Sequence, residues 1–193
     1  MSFLTPRLSR VVIGLAVATS CAAVPMAAQA ADTGLSGTLA AGALTNTAPA
    51  IAPLGSVALT GVNQTITTSV GAWNVTDATG SNDGYSVTVA ATAPQVDGDT
   101  GAAGTGGSLS LTPTTPTAAA GNPAAAGPVA SPVQSLSTTA STIANADAGT
   151  GQGSWDFAAD AGADESLSVV IPGDAAVGAY TSTLTYTTAA AVV

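Results

Sequence analysis

The 193-residue chain contains two basic side chains, Arg7 and Arg10, no histidine, and a single cysteine, Cys21. Every one of these scarce residues falls within the first thirty positions. Arg7 and Arg10 form a short positive region, 11–18 is an apolar run, and Ala28-Gln29-Ala30 offers the small-x-small pattern of a signal-peptidase site. We therefore expect a leader over 1–30, with cleavage before Ala31. Pro25 and the shortage of bulky residues argue against a permanent membrane span, which needs about 20 mostly apolar residues. The mature form is expected to have no stable span.

Ala18-Thr19-Ser20 before Cys21 looks faintly like a lipobox, but alanine stands where lipoproteins favour leucine, and the Ala-Gln-Ala site is preferred. Removing the leader then leaves no Cys, Lys, Arg or His, while all eleven carboxylates, from Asp32 to Asp174, remain. Disulfides, thiol catalysis and cysteine metal sites are excluded on that reading. A uniformly negative surface repels phosphate backbones and anionic lipid, so nucleic acid is excluded as a partner. A serine nucleophile has no ordinary base, and nothing can form a Schiff base or a phosphoryl clamp. No enzyme activity and no cofactor are expected.

Aromatics are scarce too, at two Phe, three Tyr and two Trp, yet charged residues are only 7% against 46% hydrophobic, which is not a disorder signature. After the leader, helical periodicity is nearly absent. Windows rich in Val, Thr and Ile alternate with period two between Gly, Pro, Asn and Asp, the pattern of half-buried strands. Strands are predicted over 35–41, 55–60, 64–70, 73–77, 85–91, 108–112, 133–143, 153–158, 166–171 and 179–188. Residues 78–84 read as a hairpin loop whose glycines and Asn-Asp permit positive φ. Residues 94–132, with five prolines from Pro113 to Pro132, read as a long irregular Pro/Ala/Gly-rich excursion. The expected fold is all-β, an antiparallel two-sheet sandwich over 31–193.

Two segments carry a family resemblance. Trp73-Asn74-Val75-Thr76-Asp77, a Gly-containing turn, and Gly84-Tyr85-Ser86-Val87-Thr88-Val89 resemble the first signature of WxL-domain surface proteins. The run Val170-Ile171-Pro172-Gly173-Asp174, followed by Gly178-Ala179-Tyr180 and the Thr-rich stretch through Tyr186, resembles the second. The family's Trp-x-Leu motifs are replaced here by Tyr85-Ser86-Val87 and Tyr186-Thr187-Thr188. Trp73, Asp77, Gly84, Tyr85, Val87, Gly178, Tyr180 and Tyr186 are the candidate motif positions. The resemblance implies secretion by a Gram-positive cell and non-covalent association with wall peptidoglycan or other surface proteins.

Four further features have local explanations. Asp97 with Asp99, and Asp160 with Asp164 and Glu165, are carboxylate groups that a glycosidase could use, but each lies in a Gly/Ala-rich turn where acids serve backbone amides. Asp97-Gly98-Asp99 lacks the further ligands of a calcium loop, so no metal is expected. The sequons at Asn63 and Asn74 follow from abundant Thr. The aromatics Trp73, Tyr85, Trp155, Phe157, Tyr180 and Tyr186 are expected in the core rather than on a glycan-stacking platform, because few other large groups are available to bury. The reading is a secreted, non-catalytic structural or adhesive surface protein. The alternative is a subunit of a surface polymer, such as a pilus, fibre or layer, assembling through exposed strand edges.

Overall fold

The computed structural model describes residues 36–96, 107–122, 126–157 and 165–191. The expected leader, Asp97, Asp99, Asp160 and Asp164 lie outside the described residues. Among those described there is no helix. Fourteen strands occur in chain order: β1 Leu44–Asn46, β2 Gln64–Ser69, β3 Trp73–Asp77, β4 Tyr85–Ala91, β5 Gln95–Val96, β6 Ser108–Thr112, β7 Thr117–Ala118, β8 Val129–Ala130, β9 Gln134–Leu136, β10 Ser141–Ala146, β11 Gly153–Phe157, β12 Ser166–Ile171, β13 Tyr180–Thr181 and β14 Leu184–Ala190. All pair antiparallel, in three four-stranded sheets, β14-β4-β10-β8, β1-β3-β11-β7 and β2-β12-β6-β9, with β13-β5 as a small ribbon. The expected all-β sandwich is present.

The second and third sheets run into one another. β2 leads into β3, and β2 pairs with β12 as β3 pairs with β11. The chain passes from β2 to β3 through Val70, and the Val70 amide bonded to the Glu165 carbonyl, 2.8 Å, ties the start of β12 to this junction. The β14-β4-β10-β8 sheet packs on these two sheets, with β14 against β1 and β10 against β9. Period-two alternation sends Trp73 and Val75 of β3, Tyr85, Val87 and Val89 of β4, and Leu167 and Val169 of β12 into one buried cluster. At about 25 cal/mol per Å² of apolar surface, that shared interior is the main stabilising term in a chain without metals or disulfides on its described parts.

Several boundaries differ from expectation. No strand forms over 36–41, where β1 begins later, at Leu44. Residues 55–60 alternate correctly but find no partner strand; Leu54, Val57 and Leu59 are left exposed, which shows that alternation without an available edge does not make a strand. The 133–143 and 179–188 segments each split into two strands, because 137–140 and 182–183 turn between different sheets. Residues 78–84 do not close a hairpin: β3 and β4 lie in different sheets, so this loop crosses the sandwich. Its positive-φ residues are as expected, Gly80, Asn82 and Gly84. Within 94–132, β6 is an inner strand that buries Leu109 and Leu111.

Candidate functional site

Among the described residues two carboxylates are buried, and each lies where an inward-facing strand position meets a loop. Glu165 has the same parity as Leu167 and Val169, and Asp77 the same parity as Trp73 and Val75. The alternation that drives the apolar side chains inward takes these acids with them.

Glu165 is 1% exposed. Its Oε2 accepts a 2.6 Å hydrogen bond from the Trp73 indole Nε1. Trp73 stacks on Phe157 with centroids 4.0 Å apart and planes at 16°, and meets Tyr186 of the facing sheet at 5.5 Å and 60°. Burial raises the Glu165 pKa above its ordinary value; the contacts from Trp73 and Tyr186 oppose this but are the smaller influence. Burial, and then the negative charge of Glu165, hold the Tyr186 phenol protonated. Glu165 Oε1 and the Tyr186 hydroxyl are buried without a well-formed hydrogen bond, so their contact is electrostatic with geometry short of a bond. No cationic side chain occurs among the described residues, so no ion pair there offsets the cost of desolvating this carboxylate. The expectation that Glu165 is a turn residue serving backbone amides is therefore corrected.

Asp77 is 5% exposed but differently served. Its Oδ1 accepts from the Thr79 amide at 3.0 Å and the Thr79 hydroxyl at 2.6 Å, an Asx-type turn that begins the crossing loop. Beside it, Tyr85 is fully buried with an unpartnered hydroxyl, its pKa raised by burial first and by Asp77 second. Gly84 has φ +80°, and a Cβ there would overlap the Ala146 carbonyl, so glycine is required for the chain to enter β4 at this point.

The remaining motif candidates divide by position. Val87 is buried in the core, and Tyr186 is half-buried against it. Tyr180 stands apart in the β13-β5 ribbon, its hydroxyl donating to the Ala176 carbonyl at 2.7 Å, which corrects the expectation that it fills the core. Gly178 lies in the turn before it. The two strands bearing the Tyr85 and Tyr186 segments, β4 and β14, are hydrogen-bonded neighbours with Tyr85 opposite Ala190 and Tyr186 opposite Val89. Residues 170–173, in the other segment of the second signature, are on or just after β12 in another sheet.

The outward faces of the β1-β3-β11-β7 and β2-β12-β6-β9 sheets carry short polar side chains. Thr67, Ser168, Ser110 and Ser135 align across β2, β12, β6 and β9, with Thr67 and Ser168 hydroxyls 3.1 Å apart. On β3 and β11, Asn74, Thr76, Ser154 and Asp156 form a network: the Asn74 amide donates to Ser154 at 2.9 Å and to Asp156 at 2.8 Å, and the Thr76 hydroxyl donates to Asn74 at 2.9 Å. A cleft of about 280 Å³ beside the paired strands β6 and β9 is bordered by Ala93, Pro94, Ser108, Leu109, Leu136 and Ser137, with no titratable side chain in its lining. Among the described residues, no group of three or more potential metal ligands occurs, and no helix is long and apolar enough to cross a membrane.

The described residues thus form a helix-free β-sandwich with Trp73, Tyr85, Trp155 and Phe157 inside it and hydroxyl-rich strands outside. The sequence model of the WxL domain, described as surface cell wall-binding, matches residues 46–191, and the chain belongs to that family. No curated protein and no solved structure matches the chain. The protein is accordingly a surface, cell-wall-associated one, of a family defined by binding and not by catalysis.

Proposed function

We propose that this protein is a non-catalytic structural or adhesive component outside a Gram-positive cell, held non-covalently to wall peptidoglycan. The family match over residues 46–191 carries the reading. Two features of the chain support it. Trp73, Tyr85, Trp155 and Phe157 are buried and cannot stack on sugar rings, so contact with a glycan falls to the exposed hydroxyls and amides, which suit a neutral polymer. The net negative charge of the chain disfavours anionic partners.

Purified peptidoglycan pelleted with the processed protein tests the proposal. The expected result is co-sedimentation that a concentrated lithium chloride or acid wash reverses; protein left in the supernatant at every wall concentration overturns it. A second reading, a subunit of a surface polymer, draws on one open strand edge, that of β14. It predicts a concentration-dependent ladder of masses in native mass spectrometry, in the absence of wall.

A further inference from the structure

The sheet edges of this protein are not equally protected. β7 and β8 are two residues long and β1 and β9 three, too short to template a partner. β2 has six residues, but residues 50–52 lie along its end, through the Ile51–Val70 bridge and a 3.1 Å bond from the Thr68 hydroxyl to the Ala52 carbonyl. Among the described residues β14, seven residues long, pairs only with β4, β1 packing against it without backbone pairing, and it carries no proline, no charge and no bulge, the devices by which edge strands are normally blunted. From Ala175 to Val193 there is no charged side chain. In a chain whose copies repel one another through eleven carboxylates, this is the surface on which two copies can meet without bringing like charges together.

The register says what kind of strand fits. Ala191 donates to the Gly84 carbonyl and Thr92 donates to the Thr183 carbonyl, so the odd-numbered residues of β14 turn their backbone groups toward β4. Leu184, Tyr186, Thr188 and Ala190 turn theirs outward. An antiparallel second β14 centred on Thr187 sets Tyr186 opposite Thr188 and Leu184 opposite Ala190, all outward-bonding residues, with a large side chain facing a smaller one in every pair. Each such pair exchanges two backbone bonds, about eight for the joint. Thr187 meets Thr187 at the centre, with Cα atoms about 4.5 Å apart, as a non-hydrogen-bonded pair.

We propose that the partner of this edge is a second copy of the chain, the two β14 strands joining antiparallel about Thr187 to form one continuous eight-stranded sheet across a closed dimer. This does not depend on wall binding. It differs from a polymer because the same edge is used by both copies, leaving none free to continue.

Thr187 is exposed, so its side chain can be changed without touching the core. Sedimentation of the full processed chain is expected to show a monomer–dimer equilibrium. Thr187→Lys and Thr187→Glu, each alone, place like charges directly opposite and are expected to raise the dimer dissociation constant at least tenfold while circular dichroism stays unchanged. Mixing the two variants is expected to restore a dimer containing one of each. A wild-type chain monomeric at every concentration overturns the proposal, as does a dimer indifferent to both charges, or a dimer lost in each variant and not regained in the mixture.

Discussion

Asp77 and Glu165 are both acids sent inward by strand alternation, yet their surroundings handle the charge in opposite ways. Asp77 ends β3, and the next residues of the chain curl back to give it an amide and a hydroxyl. Glu165 begins the approach to β12, and its one good donor is an indole 92 positions away. The first site is a local turn that fixes how the chain leaves β3. The second is a long-range tie that fastens β3 to the start of β12, beside the point where the chain passes from β2 in one sheet to β3 in the next. A local solution leaves the carboxylate satisfied; a tertiary one leaves it short of donors and favouring its proton.

Substitutions can sharpen or break that contrast. The largest effect is expected from Trp73→Ala, which removes the ring stacked on Phe157 and also strips Glu165 of its donor: about 3–5 kcal/mol of stability, measured by urea unfolding. Trp73→Phe keeps most of the packing and loses the indole N–H, so a smaller cost of about 1–3 kcal/mol isolates the tie itself. Asp77→Ala should cost about 1–2 kcal/mol, and Asp77→Asn, which keeps an acceptor for Thr79, should recover most of it. If Asp77→Asn is as damaging as Asp77→Ala, the site depends on charge and not on its turn. Tyr85→Phe should be the mildest, within about 0.5 kcal/mol of wild type or slightly stabilising, because the hydroxyl removed is buried without a partner.

The sequence made some of this legible. Trp73–Asp77 and Tyr85–Ala91 follow residue for residue from alternation between turn signals, and the inward course of Trp155 and Phe157 follows from the scarcity of other large groups. The failures have a common origin. Residues 55–60 have strand chemistry but no available neighbour, and residues 78–84 have hairpin chemistry but flank strands claimed by other partners; pairing is a property of the whole sheet, not of a window. Glu165 was hidden because acids beside glycine and alanine usually serve turns. Its parity with Leu167 and Val169 was the available signal, and the same parity marks Asp77.

The tie between Glu165 and Trp73 has a pH signature opposite to ordinary acid denaturation. Burial raises the folded-state pKa above the ordinary 4.5, so the folded chain holds this proton more tightly than the unfolded one. The resulting stabilisation is fully present below pH 4.5 and is lost as pH rises through the raised value. Glu165→Gln keeps an acceptor for the indole and cannot ionise, while the remaining carboxylates are common to both proteins. Urea unfolding of wild type and Glu165→Gln from pH 4 to pH 8 is therefore the decisive comparison. The variant is expected to gain on wild type steadily as pH climbs above 4.5, until Glu165 is fully ionised. A stability difference that stays constant across that range would show that Glu165 is not held in the desolvated nest described, and the account of the junction would be wrong.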